Sequence, residues 1–296
     1  MGIPMNTLCV KCLINKHIDN AQNLGTQAQA NAFVREILRL FSDQEQWNSS
    51  MMGKHINELY VRHYGLPYDR FQEEKRRSNE YVKERLPRIR QKVQNSEDPI
   101  YTALQYAIMG NYIDFSALGK NVSFDTLEQM LEEPEKFAVD KTVYRQFREE
   151  LSRAETMLYI TDNAGEIGFD MVLAEELQKC YVNLKITFCV RGKPALNDAM
   201  REDAAFMELP FPVIDNGNDV GGTELSLCNK KTRDAVSGAH VVLAKGMGNT
   251  ETLYGCGYNI FYAFLVKCPR FMEFFKKPFM TTMFIREGQD QICGVM

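Results

Sequence analysis

The second half of this chain is constrained above all by four short apolar runs, rich in β-branched and aromatic residues, at residues 157–160, 184–190, 212–214 and 241–244. Helical stretches at residues 169–179 and 230–237 separate them. A strand followed by a helix and another strand implies a parallel sheet with helices on both faces. In such sheets the residues that act on a ligand sit just beyond the carboxyl ends of the strands.

Four successive strand ends carry the same kind of chemistry. Beyond Ile160 come Thr161, Asp162, Asn163, Ala164, Gly165 and Glu166, and beyond Val190 come Arg191, Gly192, Lys193, Pro194 and then Asn197 and Asp198. Beyond Ile214 runs Asp215, Asn216, Gly217, Asn218, Asp219, Val220, Gly221 and Gly222. Beyond Ala244 follow Lys245, Gly246, Met247, Gly248 and Asn249. Asp and Asn offer hard oxygen ligands that suit Mg²⁺ or Mn²⁺ better than the Cys and His sets of zinc. Glycines let backbone N–H groups close on an anion, and a lysine adds a point charge for phosphate. Taken singly, each segment has the composition of a turn or a helix cap. Lys245-Gly246 is not a nucleotide-binding phosphate loop, because the Gly-Lys-Ser/Thr ending is missing. Together, after consecutive strands, they describe phosphoryl chemistry assisted by a cation.

The first 150 residues read as helices. Phe33, Val34, Ile37, Leu38 and Phe41 recur at helical spacing. Residues 69–92 form a charge-rich helix that Pro87 is expected to kink or divide. A short apolar helix over residues 100–109 ends at Gly110, and Ser123 is placed to cap a helix over residues 124–131. Lys75, Arg76 and Arg77, interleaved with Glu73, Glu74 and Glu80, read as a solvated helix face.

Composition limits the function classes. A net charge of −4 gives no basic field for nucleic acid, and no run reaches the roughly 18 apolar residues of a membrane span. Eight cysteines in 296 residues are too few for a disulfide scaffold, and the early residues carry no charged leader followed by an apolar stretch. A cytoplasmic protein is expected.

Asp162-Asn163-Ala164-Gly165-Glu166, Asn197-Asp198 and Lys245-Gly246-Met247-Gly248-Asn249 resemble the signature motifs of the damage-control phosphatases, long catalogued as domain of unknown function 89. Gly110-Asn111-Tyr112-Ile113-Asp114, the pair Cys9 and Cys12, and Lys267-Cys268 also resemble family positions. The resemblance runs from residue 9 to about residue 268, and the cysteine pair resembles the shorter, mostly prokaryotic branch.

The resemblance implies a helical domain (residues 1–150) capping the site on a three-layer α/β/α domain (residues 151–296) with a mainly parallel, Rossmann-like sheet. It implies a metal-dependent phosphatase acting on sugar phosphates or damaged phosphometabolites, with Mg, Mn, Co or Ni as the divalent cation. Asp162, Asn163 and Asp198 map onto the metal ligands, and Asn111, Asp114, Lys245 and Gly246 onto substrate contacts. Asn249, Asp203 and Arg191 are matched by position alone. Asp162 or Glu166 is the candidate to orient an attacking water, with a covalent aspartyl-phosphate as the other route. Cys9, Cys12 and Cys268 form either a reduced, buried group or a thiolate site, and no second pair at zinc spacing occurs among Cys180, Cys189, Cys228, Cys256 and Cys293. The spacing of His17, His55, His63 and His240 favours none of them as a ligand, and Phe271, Phe274 and Phe275 read as core. Two rival functions are a carboxyl methyltransferase, which lacks a GxGxxG after the first strand, and a metal-binding module without turnover.

Overall fold

The architecture comes from a computed structural model that describes residues 2–43 and 47–288. Helices α1 (Thr7–Leu24), α2 (Gln27–Asp43), α3 (Ser49–Tyr64), α4 (Gln72–Gln94), α5 (Pro99–Gly110), α6 (Phe124–Glu132) and α7 (Lys141–Arg153) precede the first strand. Their starts follow the local chemistry. Side-chain oxygens of Asn6, Asn48, Asp98, Ser123 and Asp140 accept from first-turn amides of α1, α3, α5, α6 and α7, satisfying donors that have no partner within the helix.

Then strand and helix alternate: β1 (Thr156–Ile160), α8 (Glu166–Cys180), β2 (Lys185–Val190), α9 (Arg201–Phe206), β3 (Val213–Asp215), α10 (Lys230–Gly238), β4 (Val241–Lys245), α11 (Gly246–Leu253), β5 (Ile260–Leu265), α12 (Pro269–Phe275) and β6 (Thr282–Arg286). The six strands lie in the order β3-β2-β1-β4-β5-β6. All pair in parallel except β6, which runs antiparallel to β5. The order reverses between β1 and β4, so a crevice opens beyond their carboxyl ends.

The sheet is buried on both faces, and alternate residues divide accordingly. Met157, Tyr159, Leu243, Phe261 and Phe284 face a core shared with α4 to α8. Leu158, Ile160, Val242, Tyr262 and Met283 face the opposite core, which includes Phe271 and Phe275. Packing therefore runs across residue 150: the change there is in the texture of the chain, while α4 to α7 and the sheet share one core. Helices α1 to α3 have a core of their own around Phe33, Ile37, Ile56 and Tyr60. They join the rest through Glu251 of α11, whose carboxylate accepts from Ser49 N and from the hydroxyls of Ser49 and Ser50 at the start of α3.

Two local expectations need correction. Pro87 does not divide helix α4, which runs unbroken from Gln72 to Gln94. The ring lies on the exposed side, where water can serve the carbonyl that proline leaves without a partner, while Val82, Leu86, Ile89 and Val93 anchor both halves to the core. Lys75 is buried, unlike Arg76 and Arg77, and pairs with Asp203 at 3.0 Å.

Phe147 of α7 meets Phe261 and Phe284 at ring-centroid distances of 5.0 and 5.4 Å, pinning the helical layer to β5 and β6. Phe147→Ala should lower unfolding free energy by about 3–5 kcal/mol. Urea denaturation followed by circular dichroism measures it, and a loss below about 1 kcal/mol would contradict this packing.

Candidate active site

Strand β1 ends in a loop that delivers Asp162 and Asn163, and Gly165 then turns the chain with φ +79° to start α8 at Glu166. The loop beyond β2 lies beside it. Asn163 and Asp198 form an isolated antiparallel bridge, Ala199 N donates to Asp162 O at 2.7 Å, and Ala164 N donates to Asn197 O at 2.9 Å. From the far side, Gly246 opens α11 with φ +80°. A side chain there is impossible without movement, since a Cβ would lie 2.0 Å from Asp162 Oδ2. Glycine thus lets the first turn of α11, with its unpaired N–H groups, close directly on the Asp162 carboxylate.

Around Asp162 the polar groups form one buried network. Asn111 Nδ2 and Asn163 Nδ2 both donate to Asp162 Oδ2 at 2.8 Å, and each also reaches the Glu166 carboxylate. Lys245 Nζ donates to Glu166 Oε1, Asp170 Oδ1 and the Ala107 carbonyl, each at 2.7 Å. Arg191 Nε donates to Asp198 Oδ2 at 2.6 Å, while its Nη2 lies 4.0 Å from Asp162 Oδ1 and 3.1 Å from Asn249 Oδ1. Lys267 Nζ donates to Asp114 Oδ2 and to the Asn111 carbonyl, both at 2.6 Å.

The charges do not balance. Among the described residues, Asp114, Asp162, Glu166, Asp170 and Asp198 are met by Lys245, Lys267 and Arg191, all eight of them buried, while buried Lys75, which also acts on Asp198, is paired with Asp203. Burial, reinforced by Glu166 and Asp198, holds the Asp162 carboxyl well above the usual carboxylate range. Burial likewise raises Asp198 to about 6 against the pull of Arg191, and Asp170 to about 7 against the pull of Lys245. Asp114 is the exception: burial opposes its charge, but Lys267 and local hydrogen bonds hold it below its ordinary value. A surplus of buried carboxylates is relieved either by protons or by a cation, so the donor set fits a divalent ion. Among the described residues no three His, Cys, Asp or Glu side chains form a metal cage. The candidate ligand set therefore needs the Asn163 amide oxygen as well as Asp162 and Asp198; that oxygen accepts from Asn197 Nδ2 at 2.8 Å, while Asn163 Nδ2 is the atom turned to Asp162.

Residues 5–279 match the damage-control phosphatase ARMT1-like domain. This chain belongs to the damage-control phosphatase family. Over 182 residues it is 37% identical to damage-control phosphatase PH1575 of Pyrococcus horikoshii, covering 60% of this chain and 61% of that one. It is 30% identical over 262 residues to a damage-control phosphatase of Archaeoglobus fulgidus, covering 84% of this chain and 87% of the relative. The crystal structure of PH1575, described as a DUF89 family protein, superposes with a TM-score of 0.81 at 28% identity, over 96% of this chain and 99% of that one.

In this member of the damage-control phosphatase family, Asn111, Asp162, Asn163, Glu166, Lys245, Gly246 and Asn249 meet in the network, with Asp198 and Arg191 on its flank and Asp114 reached through Lys267. Asp203 lies apart from it: it accepts from Asn79 and from Met200 N, and Asn79 in turn accepts from Gly165 N. Asp170 was not anticipated. The available signal was an acidic residue four positions after Glu166, inside the apolar run 167–173, which puts both carboxylates on one helix face. Cys9 is buried, Cys12 exposed and Cys268 intermediate, and all three are free; Cys268 Sγ accepts from Phe271 N at the start of α12, and Cys293 lies outside the described residues. No described helix is long and apolar enough to cross a membrane.

Lys245 departs most from expectation. It was expected to meet phosphate directly, yet its ammonium is fully buried and all three donors are engaged within the protein. Lys245→Ala would leave Glu166 and Asp170 unpaired, so unfolding free energy should fall by about 3–5 kcal/mol. Thermal and urea unfolding check this, and a stable mutant that had lost only phosphate affinity would return Lys245 to a contact role.

Proposed function

We propose that this phosphatase depends on a divalent cation, Mg, Mn, Co or Ni, held by Asp162, Asn163 and Asp198, and that it hydrolyses small phosphorylated metabolites. The observation that carries this reading is the excess of buried carboxylate charge at Asp162, set directly against the opening turn of α11. When bound, the cation supplies Lewis acidity towards phosphoryl oxygens.

The chain's own groups do the rest. First-turn amides of α11 point their N–H groups at the phosphoryl oxygens, a favourable arrangement for an anion at a helix start. Asp162 is the carboxylate that works on the substrate, since the Glu166 oxygens are already engaged by Lys245, Asn111 and Asn163. Glu166 and Lys245 act as its support. Asn111 fixes the orientation of Asp162, because its Nδ2 holds Asp162 Oδ2 while its Oδ1 accepts from Leu265 N at 3.1 Å. Arg191 and Lys267 bring positive charge to either side. A net charge of −4 agrees with a small molecule as partner and not with a nucleic acid.

The test is phosphate release from a panel of sugar and other metabolite phosphates, with protein stripped by chelator and then supplied with each cation. Stripping should abolish release and re-addition restore it, and Asp162→Ala or Asp198→Ala should reduce kcat/KM by about 10²-fold or more while the protein stays folded. Full activity after stripping would overturn the assignment.

Cation affinity should also depend on pH. Protons compete for carboxyls whose pKa values are raised, so affinity should weaken as pH falls through about 6, where Asp198 takes up its proton, and binding at neutral pH should release protons. Titration calorimetry in buffers of different ionisation enthalpy measures that release. Affinity independent of pH between 5 and 8, an interval around the ~6 of Asp198, would remove these carboxyls from the ligand set.

A further inference from the structure

Helix α4 changes character along its buried stripe. Val82, Leu86, Ile89 and Val93 face the shared core, but Lys75, Ser78 and Asn79, one and two turns earlier on the same face, are polar and also buried. Buried polar groups persist where specific partners answer them. Here the partners belong to the two loops that carry the candidate ligands. Asn79 Oδ1 accepts from Gly165 N, and Asn79 Nδ2 donates to Asp203 Oδ1, each at 2.7 Å. Asp203 Oδ2 accepts from Met200 N at 2.7 Å and pairs with Lys75 Nζ at 3.0 Å. Only one orientation of the Asn79 amide serves both neighbours, because a backbone N–H can only donate and a carboxylate only accept.

Gly165 and Met200 each stand two residues beyond a candidate ligand, Asn163 and Asp198. Those two ligand residues form the isolated bridge between the loops. The contacts therefore close a ring: the bridge joins the loops at one end, and Asn79 with Asp203 joins them at the other. Helix α4 lies hard against this ring, since a Cβ at Gly165 would meet Ser78 Cβ at 2.8 Å and the Ser78 carbonyl oxygen at 2.9 Å.

We infer that Asn79 and Asp203 are positioning residues, which hold the loops beyond β1 and β2 at the separation that a cation shared by Asp162, Asn163 and Asp198 requires. This rests on the cation reading given above. Neither residue is a ligand; both act through loop backbone, and Lys75 offsets the charge that Asp203 brings into the interior.

Exchanging the two side chains tests it. Asp203→Asn keeps the shape, yet either orientation of the new amide loses a bond, to Asn79 or to Met200 N. Asn79→Asp sets two carboxylates against each other. The double variant, Asn79→Asp with Asp203→Asn, restores the pattern: the carboxylate on α4 accepts from Gly165 N and from the amide at 203, whose oxygen accepts from Met200 N. Lys75 then has its acid four residues along the same helix. By calorimetry with Mg, Mn, Co or Ni alone, each single variant should bind the cation about tenfold or more weakly, the usual cost of losing a group that orients a ligand. The double variant should recover most of that loss. Single variants that bind as the wild type does, or a double variant no tighter than the singles, overturn the assignment. Where a single variant fails to fold, the double variant must fold and bind, and its failure overturns the ring as well.

Amide hydrogen exchange in the cation-free protein separates this failure from failure of the cation reading. If the wild type binds none of these cations, that reading falls, and exchange decides the ring by itself. Segments 162–166 and 198–203 should exchange about fivefold or more faster in each single variant, the scale of one hydrogen bond, and regain protection in the double variant. Unchanged exchange in the single variants overturns the ring whatever the cations do.

Discussion

The ammonium of Lys245 holds this molecule together at the point where its parts meet. Its three donors engage the Ala107 carbonyl of α5, Glu166 at the start of α8 and Asp170 one turn later, while its own backbone ends β4. One buried charge therefore fixes the distance between a strand, the helix that follows the neighbouring strand and the helical layer above. Burial opposes a charged lysine, but the two carboxylates outweigh that penalty and hold the ammonium above its ordinary range. Tyr159 adds a further tie from β1, its hydroxyl donating to Asp170 at 2.8 Å. Breaking such an arrangement leaves bare charges in a dry interior, which is why its geometry is strongly determined.

From that anchor the candidate site follows in steps. Lys245 and the two asparagine amides surround Glu166, so Glu166 is held in position, and Asp162 beside it keeps an oxygen, Oδ1, whose nearest cation among the described residues is Arg191 at 4.0 Å. The backbone has no alternative where β4 becomes α11, because the Asp162 carboxylate occupies the space a side chain at residue 246 would need. Strand order supplies the rest. β1 and β4 are neighbours at the reversal of the sheet, so the loops beyond them face each other across the crevice. The same reversal explains why residues 162 and 246, far apart in sequence, touch.

Much of this was legible in the sequence. The four runs at 157–160, 184–190, 212–214 and 241–244 correspond to β1 to β4, because strands buried on both faces read as continuous apolar segments bounded by polar loops. β5 escaped for the same reason: Ile260–Leu265 is entirely apolar and lies close to the Phe-rich α12, so periodicity could not tell strand from helix. The antiparallel β6 follows the short helix α12, and its five residues carried too little pattern to be read as a strand. Strand-end residues were legible as a set, since their chemistry is unusual in combination. Their partners were not, since the pairing of Lys245 with Asp170, or of Arg191 with Asp198, is decided by packing. A lysine after a glycine-flanked strand end looks the same in sequence whether it meets a phosphate or a carboxylate, and the acidic residue at 170 decides which.

The helical half was expected to bring Asn111 and Asp114 to the edge of the sheet, and Asn111 is built into that edge. Asn111, at the end of α5, is wholly buried; its amide holds Asp162, its side-chain carbonyl accepts from the end of β5, and its backbone carbonyl takes Lys267. A residue bonded in three directions cannot leave the site without exposing several buried polar groups at once, each costing about 1–3 kcal/mol. Helix α5 is therefore a fixed part of the site. Helices α1 to α3 have a separate core and are joined to the rest largely by polar contacts: Glu251 with the serines at the start of α3, Ser50 Oγ with the Gly221 carbonyl, Lys16 with the Ser116 carbonyl and Asn6 with Glu273. Asp219 adds another tie, accepting from Tyr68 and pairing with Lys54 at 3.3 Å. The Asp219 tie reaches the loop beyond β3, and the Glu251 tie reaches α11, whose first residue lies against Asp162.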